Sequence, residues 1–348
     1  MADDKDVKGS RRDSILGAIV GVLIGDALGL GCHWYYEMDS FKADYGEWIS
    51  YYTDSKPDRR DRFGHIAKYR YETGLRKGDL SQTGQVALLL LESVAERGSY
   101  VDSDFTARLD SLLNTLDGTP LSGRYTDWAM RDVWRQRKSG LPWTQVGSMA
   151  DTTEAAIRSV VLSARFFKDP EFLARTAHGN ILLTHRDTYV SAQSLAYSLA
   201  VAALIQGIAL KDIVGHLSSL HSQEPIMRLI PSYDCLVQAG NGARAFSVPV
   251  RIEPASLICS IYGLPCALGF VLPAAYYLIH RFPASFESAV LSAVNGGGNN
   301  MARAALTGAL SGAMVGLKDI PERFVTGLRD HERILSLAGQ VAAGDGTP

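Results

Sequence analysis

The chain has 348 residues, of which 46% are hydrophobic and 21% charged, a composition typical of a folded globular protein and not of a disordered one. It contains 35 Lys and Arg against 37 Asp and Glu, and the resulting net charge of −2 argues against a basic nucleic-acid-binding protein. The 4 cysteines form no CxxC pair and no zinc-ligand spacing, so we expect reduced thiols and no structural metal.

The start of the chain is polar. Residues 1–13 hold no apolar run of the kind that directs secretion, and we expect them to be flexible. Two stretches without acidic or basic side chains, residues 188–210 and 254–280, approach the length of a membrane span. The first carries several Ser and Gln side chains and the second is broken by Pro265 and Pro273, which favours buried helices. The sequence therefore predicts a cytoplasmic protein that binds no membrane and no nucleic acid.

Apolar residues recur at helical spacing along almost the whole chain, whereas the alternation typical of strands is rare. The helices predicted first along the chain are residues 14–30, 81–97, 104–116 with Ser103 as its cap, 127–138, 152–167 and 170–183. Those predicted after them are residues 188–207, 210–220, 231–239, 267–281, 285–294, 300–317 and 321–341. This pattern predicts an all-α protein. No linker divides it, so we expect a single domain over residues 14–342 and a flexible C-terminus at 343–348.

The segment from 31 to 78 departs from this pattern. It contains many of the tyrosines, two tryptophans and a charge cluster at residues 56–62. An aromatic, polar segment over a helical body forms either a substrate lid or a surface layer that its aromatic side chains anchor. The pattern leaves both interpretations open.

Glycine recurs every fourth residue in two predicted helices. These stripes consist of Gly17, Gly21, Gly25 and Gly29 in the first, and Gly308, Gly312 and Gly316 in the second. Each interior glycine costs a helix about 1 kcal/mol relative to alanine, so an aligned stripe indicates close approach of another backbone. We expect the two helices to lie in the packed centre and to contact one another.

A further glycine run, residues 296–298, leads into the helix predicted to begin near Asn299. Flexible glycines before exposed helix amides can form an anion or phosphate site, although such turns are also common without one. The run is neither a Walker loop nor a dinucleotide-binding fingerprint.

Five segments, in order along the chain, resemble motifs of the ADP-ribosylglycohydrolase family. Residues 16–30 (LGAIVGVLIGDALGL) resemble its opening helix, and residues 80–90 (LSQTGQVALLL) its Thr-Asp-Asp-Thr helix start. Residues 154–158 (EAAIR) are similar to its Met-Arg segment, and residues 182–185 (LLTH) to its Thr-His element. Residues 293–313 (AVNGGGNNMARAALTGALSGA) resemble its second acidic helix start. The resemblance implies a single orthogonal multi-helix domain whose cleft, near two helix starts, binds ADP-ribose.

The same resemblance implies that active members hold two magnesium ions through the carboxylates of the two acidic motifs. In this sequence Gln82, Thr83, Asn299 and Met301 stand at those positions. Neutral side chains and a thioether are poor magnesium ligands, so we expect no metal, no cofactor and no catalytic residues. The expected remnant is a vestigial ligand cleft formed by Ser81, Gln82, Thr83, Gly297, Gly298, Asn299 and Asn300.

No other acidic, histidine or nucleophilic residue is a clear replacement for the missing metal-binding carboxylates. Asp26 and Asp79 lie near these motifs, and one of them could reach the cleft. The alternatives are a structural role for Asp26 within the GDALG turn and a helix-start charge for Asp79. His178 and His185 have the spacing of one helix face, but a Thr-His pair at a helix end is more often structural than catalytic. No nucleophile-elbow signature occurs.

Within the family, the sequence is most similar to the J-type crystallins of jellyfish eye lenses. That resemblance implies a catalytically inactive structural protein, a pseudoenzyme accumulated in the cytoplasm of lens cells. The low net charge favours self-association at high concentration. Two alternatives stay open: an ADP-ribosyl hydrolase with a remodelled site, and a pseudoenzyme that still binds ADP-ribose weakly.

Overall fold

The computed structural model describes residues 2–231, 234–235, 251–344 and 346–347, and within these ranges the chain is built from α-helices. No β-strand forms among the described residues, which contain two isolated bridges, Tyr35 with Gly298 and Ser148 with His185. The predicted all-α class is confirmed.

The helices follow one another with short connections. The first nine are α1 (Ala2–Leu30), α2 (Met38–Tyr45), α3 (Gly64–Glu72), α4 (Gln82–Arg97), α5 (Asp102–Leu113), α6 (Trp128–Lys138), α7 (Glu154–Phe166), α8 (Pro170–Leu182) and α9 (Thr188–Ile205). The remaining described helices are α10 (Ile213–His221), α11 (Glu224–Leu229), α12 (Ile258–Tyr262), α13 (Leu268–Arg281), α14 (Phe286–Val294), α15 (Asn300–Val315), α16 (Glu322–Gly327) and α17 (His331–Ala343). Single 3₁₀ turns occupy Leu210–Asp212, Ala255–Leu257 and Leu317–Asp319.

Several predicted boundaries differ from the observed ones. Helix α1 begins at Ala2, whereas the predicted helix begins at residue 14. The predicted helix 321–341 is two helices, because Asp330 adopts a left-handed φ of 58° between them. Ser103 is not the cap of α5; the helix has already begun at Asp102. The predicted helix 231–239 lies largely outside the described residues.

The stripes of glycine bring α1 and α15 into direct backbone contact. A Cβ atom added to Gly21 would lie 2.3 Å from the carbonyl oxygen of Gly308, and one added to Gly17 would lie 2.1 Å from that of Gly312. Real Cβ atoms do not approach an oxygen so closely, so no other residue fits either position without displacement. The predicted contact is confirmed. Gly316 differs from the rest, since it lies just past the end of α15 with a φ of 83°.

The apolar stretches lie in the core. Helix α9 is buried along nearly its whole length, which agrees with the predicted burial of residues 188–210. In the second stretch Pro265 separates α12 from α13, but Pro273 lies inside α13 and does not end it. By length and composition alone, residues 11–30 and helix α9 are apolar enough to cross a membrane, and most of each is buried inside the protein.

The segment between α1 and α4 is not a plain loop. It contains α2 and α3, and its aromatic side chains Tyr35, Phe41 and Tyr52 are buried in the core. Tyr52 donates a hydrogen bond to the Phe324 carbonyl oxygen at 2.6 Å, and Tyr45 donates one to Gly31 at 2.7 Å. These contacts anchor the segment on the helical body, while its first residues turn toward the site described below.

Candidate functional site

A cavity of about 260 Å³ opens where four helices begin. The first residues of α4, α6, α7 and α15 all contribute to its wall. The N-terminal end of a helix carries partial positive charge from its unpaired amides, so four such ends favour negative charge inside the cavity. Segment 31–78 adds His33, Trp34 and Arg70 to the wall.

Asp26 of α1 positions the first motif of the predicted cleft, the start of α4, through hydrogen bonds with Ser81. The Asp26 carboxylate accepts hydrogen bonds from the backbone nitrogen of Ser81 at 2.7 Å and from its hydroxyl at 2.5 Å. The Ser81 hydroxyl in turn caps α4 by accepting from the Gly84 nitrogen at 3.2 Å. Burial raises the pKa of Asp26 to about 6, although the bonds from Ser81 oppose this. Asp26 therefore positions the motif and does not line the cavity.

Four of the predicted cleft residues line the cavity, namely Ser81, Gln82, Thr83 and Asn299. The Gln82 amide nitrogen donates to the hydroxyl of Thr126 at 3.2 Å. Its amide oxygen, and the side-chain oxygen of Asn299, are buried without a hydrogen-bond partner among the described residues. Buried amide oxygens of this kind are ready acceptors for a ligand hydroxyl or a water molecule.

Three other predicted cleft residues are absent from the cavity wall. The Gly298 nitrogen donates to the Tyr35 carbonyl oxygen at 2.6 Å, and Gly297 packs against Met38. The Asn300 amide donates to the carbonyl oxygens of Cys32 and Val294, both at 3.1 Å. The Asn299 nitrogen also donates within the protein, to Leu264 at 2.8 Å. Of the two interpretations left open for this glycine run, these contacts favour an ordinary turn, because the Gly298 and Asn299 amides already bind neighbouring segments.

The four positions at which the resemblance places magnesium ligands do come together. Gln82, Thr83, Asn299 and Met301 line the same cavity, yet none of these side chains is a carboxylate. Among the residues that the structure describes, no group of three or more His, Cys, Asp or Glu side chains is placed to hold a metal ion. Magnesium binds hard, charged oxygen ligands, so this set of donors does not fit it.

Carboxylates enter the cavity from elsewhere, at the starts of α6 and α7. Asp127 caps α6 by accepting from the Met130 nitrogen at 2.8 Å. The Glu154 carboxylate lies 3.1 Å from the His185 imidazole and also accepts from the Thr152 hydroxyl. Asp151 lies beside them.

The two carboxylates have opposite pKa shifts. Burial, reinforced by the negative charge of Glu154, raises the pKa of Asp127 to about 7. Burial also acts to raise the pKa of Glu154, but the hydrogen bond and charge of His185 outweigh it and hold that pKa below its usual value. A carboxyl group that keeps its proton near neutral pH beside one that stays ionised is an arrangement typical of acid–base pairs.

Sequence reasoning did not identify this cluster. Helix α8 ends at Leu182, so His185 lies beyond it and does not share a helix face with His178. The His185 side chain is instead fully buried against Glu154, a residue 31 positions away in sequence. The Thr-His element in the chain was the available signal, but its partner is visible only once α7 and α8 are packed.

The cavity wall also carries positive charge, from Arg70. Arg70 is only 4% exposed, and its guanidinium lies over the rings of Trp34 and Tyr125, 5.3 and 5.5 Å from their centroids. Burial, followed by the charge of Arg70, lowers the pKa of His33 well below its usual value, so its imidazole is neutral at pH 7. Sequence analysis did not single out Arg70.

Asp79 lies away from this cavity. Its carboxylate accepts from the Arg76 nitrogen at 2.7 Å and forms an ion pair with Arg329 in a separate surface pocket. The structural role considered for it from sequence agrees with these contacts.

The comparisons of this chain with known proteins agree on one protein family. An uncharacterized protein of Archaeoglobus fulgidus is 25% identical over 324 residues, which cover 92% of this chain and 93% of that protein. A solved structure described as an ADP-ribosylglycohydrolase-related protein complex shares the fold, with a TM-score of 0.63 at 20% identity over 96% of this chain and 99% of its own. A model of the ADP-ribosylglycohydrolase family matches residues 8–348. With nearly the whole chain matched, the protein belongs to the ADP-ribosylglycohydrolase family.

Proposed function

We propose that this protein is a pseudoenzyme of its family, one that no longer carries out magnesium-dependent hydrolysis of ADP-ribosyl bonds and requires no cofactor. The observation that carries the proposal is the donor set of the cavity. Gln82, Thr83, Asn299 and Met301 line it where the resemblance calls for carboxylates. Without a bound divalent ion, these side chains supply neither a Lewis acid nor an activated water.

For the role of this pseudoenzyme we propose a structural one, that of a crystallin accumulated in the cytoplasm of eye-lens cells. This role rests on the resemblance to J-type crystallins, and two features of the chain support it. Cys32, Cys235 and Cys259 are buried, and burial raises the pKa of Cys32 to about 12, which suppresses the reactive thiolate. The close backbone contact between α1 and α15 is a stabilising feature that a long-lived protein requires. Apart from these two features, the net charge of −2 is low for a crowded protein and favours self-association.

A second candidate role, weak binding of ADP-ribose without turnover, is favoured by the cavity itself. A protein with a purely structural role has no need of an open cavity, yet this one presents unpartnered acceptors on Gln82 and Asn299. The third candidate, hydrolysis by a remodelled metal-free site, is favoured by Asp127 and Glu154, whose pKa values shift in opposite directions.

Calorimetric titration of the metal-stripped protein, first with magnesium and then with ADP-ribose, tests these proposals. We expect no saturable magnesium heat, because no carboxylate remains at the four positions. Saturable magnesium binding, or release of ADP-ribose from a modified substrate that depends on magnesium, would overturn the proposed loss of hydrolysis. Binding of ADP-ribose without turnover would favour the binding role, and silence at millimolar ligand would favour the purely structural one.

A further inference from the structure

A second cavity, of about 450 Å³, lies toward the other end of α1 from the candidate site. Arg11 and Arg12 of α1 line it together with Lys168, which follows α7, and the last residues of α17. We call it the basic cavity. Arg11 precedes Asp26 by about four turns of α1, a rise of roughly 22 Å. Since Asp26 positions the start of α4 at the candidate site, the two cavities are separate, and the functions proposed above involve only the first.

The charged side chains around the basic cavity all have the same sign. Arg11, Arg12 and Lys168 line it, and no acidic side chain does so in the described part of the chain. None of the three cations forms an ion pair with a residue that the structure describes. A single exposed cation is simply solvated, but like charges around one hollow repel each other and focus a positive field into it. Such a field favours the entry of an anion.

The described carboxylates closest to these cations in sequence face other partners. Asp13 lies against Gly316, and Asp169 caps α8 by accepting from the Phe172 nitrogen at 2.9 Å. Partial negative charge does come from α7 and α17, because both helices end at this cavity. Each helix end carries about half an elementary charge, so the two offset about one of the three positive charges. An excess of about two positive charges remains.

The floor of the basic cavity is apolar. Ile15, Phe167 and Ala342 line it, and all three are buried. The charged groups of Arg11 and Lys168 each lie 5.9 Å from the centroid of the Phe167 ring, so they flank this apolar surface. A volume of about 450 Å³ falls within the range of small-molecule sites. An apolar floor beneath a cationic rim suits a ligand that carries both an anionic group and an uncharged body.

We infer that the basic cavity is a binding site for a small phosphate monoester, whose anionic group lies among Arg11, Arg12 and Lys168 and whose uncharged body lies on the apolar floor. A phosphate monoester carries close to two negative charges at neutral pH, which matches the excess positive charge. Guanidinium groups bind phosphate oxygens through paired N–H donors, and the lysine adds a point charge. The site goes beyond the proposed function and holds whichever role the first cavity has.

Calorimetric titration with three probes tests this site: inorganic phosphate for the anion alone, benzyl alcohol for the apolar body alone, and benzyl phosphate for both. We expect benzyl phosphate to bind more tightly than either part. In the double variant Arg11→Gln with Lys168→Gln its affinity should fall by about tenfold or more, because charge-assisted hydrogen bonds are lost. Added salt should weaken binding to the parent protein more than binding to the variant.

Matched variants separate the site from the net charge. Lys77→Gln with Lys211→Gln removes two exposed lysines that line neither cavity, so it changes the net charge equally and should leave the affinity unchanged. Arg11→Lys with Lys168→Arg keeps both charges and should retain most of the binding. Lys168→Gln alone, at an exposed side chain, should weaken binding less than the double variant, and it serves if that variant fails to give a cooperative thermal melt.

Three results would overturn this site. These are no binding of inorganic phosphate or benzyl phosphate to the parent protein at millimolar concentration, equal affinity in the parent and the variants that lack Lys168, and an equal loss in the control that lacks Lys77 and Lys211. Magnesium binding bears only on the first cavity, so failure of this site and failure of the proposed loss of hydrolysis are distinguishable.

Discussion

Asp127 and Glu154 show how a single residue's environment changes its chemistry. Both begin or cap a helix at the cavity, and helix starts ordinarily stabilise ionised carboxylates. Glu154 behaves in this way because His185 faces it. Asp127 does not, because burial and the charge of Glu154 together outweigh its bond to the Met130 nitrogen and the charge of Arg131. The difference between the two residues is therefore set by their partners and not by their residue types.

We expect Asp127→Asn to stabilise the protein at about pH 8.5, by roughly 2 to 4 kcal/mol, and to change its free energy of unfolding little near about pH 4. The folded-state pKa of Asp127, about 7, lies above its ordinary value of 3.8, so the folded protein keeps a proton that the unfolded chain has released. The contribution of this group to stability is thus greatest at low pH and is lost as the pH rises from about 4 to about 7. Urea unfolding at both pH values measures the difference.

The asparagine side chain still accepts from the Met130 nitrogen, so the cap of α6 is kept. Asp169→Asn is the matched control, since it changes the capping residue of α8 away from the cavity. We expect its effect to be the same at both pH values. An Asp127→Asn effect that is equally independent of pH would contradict the raised pKa.

At the scale of helices, the contact between α1 and α15 is the most sharply defined feature. We expect Gly21→Ala to lower the free energy of unfolding by about 3 kcal/mol, because its Cβ would lie 2.3 Å from the Gly308 carbonyl oxygen and the helices must separate. Gly179→Ala in α8 is the control, since a Cβ there meets nothing within 4 Å. It should raise stability by up to about 1 kcal/mol through helix propensity. Equal melting temperatures for the two variants would show that the contact is not tight.

Helices were predicted well where the pattern that specifies them lies within one segment of the sequence, and less well where they depend on contacts with distant segments. A glycine every fourth residue is visible in one segment, and so the close contact of α1 with α15 was predictable. The break between α16 and α17 was not, because the left-handed Asp330 lies within an apolar pattern that continues through it. Helices α2 and α3 were missed for a related reason: they contact residues distant in sequence, Gly297 in the case of Met38 and Gly123 in the case of Tyr69.

For the molecule as a whole, the site was predictable in its position but not in its charges. The resemblance placed Gln82, Thr83 and Asn299 at one cleft, and the structure brings them to one cavity. Arg70 lies in none of the motif segments, and the segments that contain Glu154 and His185 do not show that these two residues, 31 positions apart, contact one another. Charge pairing across a fold depends on tertiary packing, which a local pattern does not report.

The scaffold as a whole should regain magnesium binding when carboxylates are restored together as Gln82→Asp, Thr83→Asp, Asn299→Asp and Met301→Asp. All four side chains line one cavity, and clustered carboxylate oxygens are the ligands that magnesium prefers. We expect the metal-free variant to melt at a lower temperature than the parent through mutual repulsion, and magnesium to raise that temperature. A variant with Asn at the same four positions matches the size without the charge and should not respond. If calorimetry shows no magnesium heat for the Asp variant, the helix starts no longer have the spacing that an ion requires.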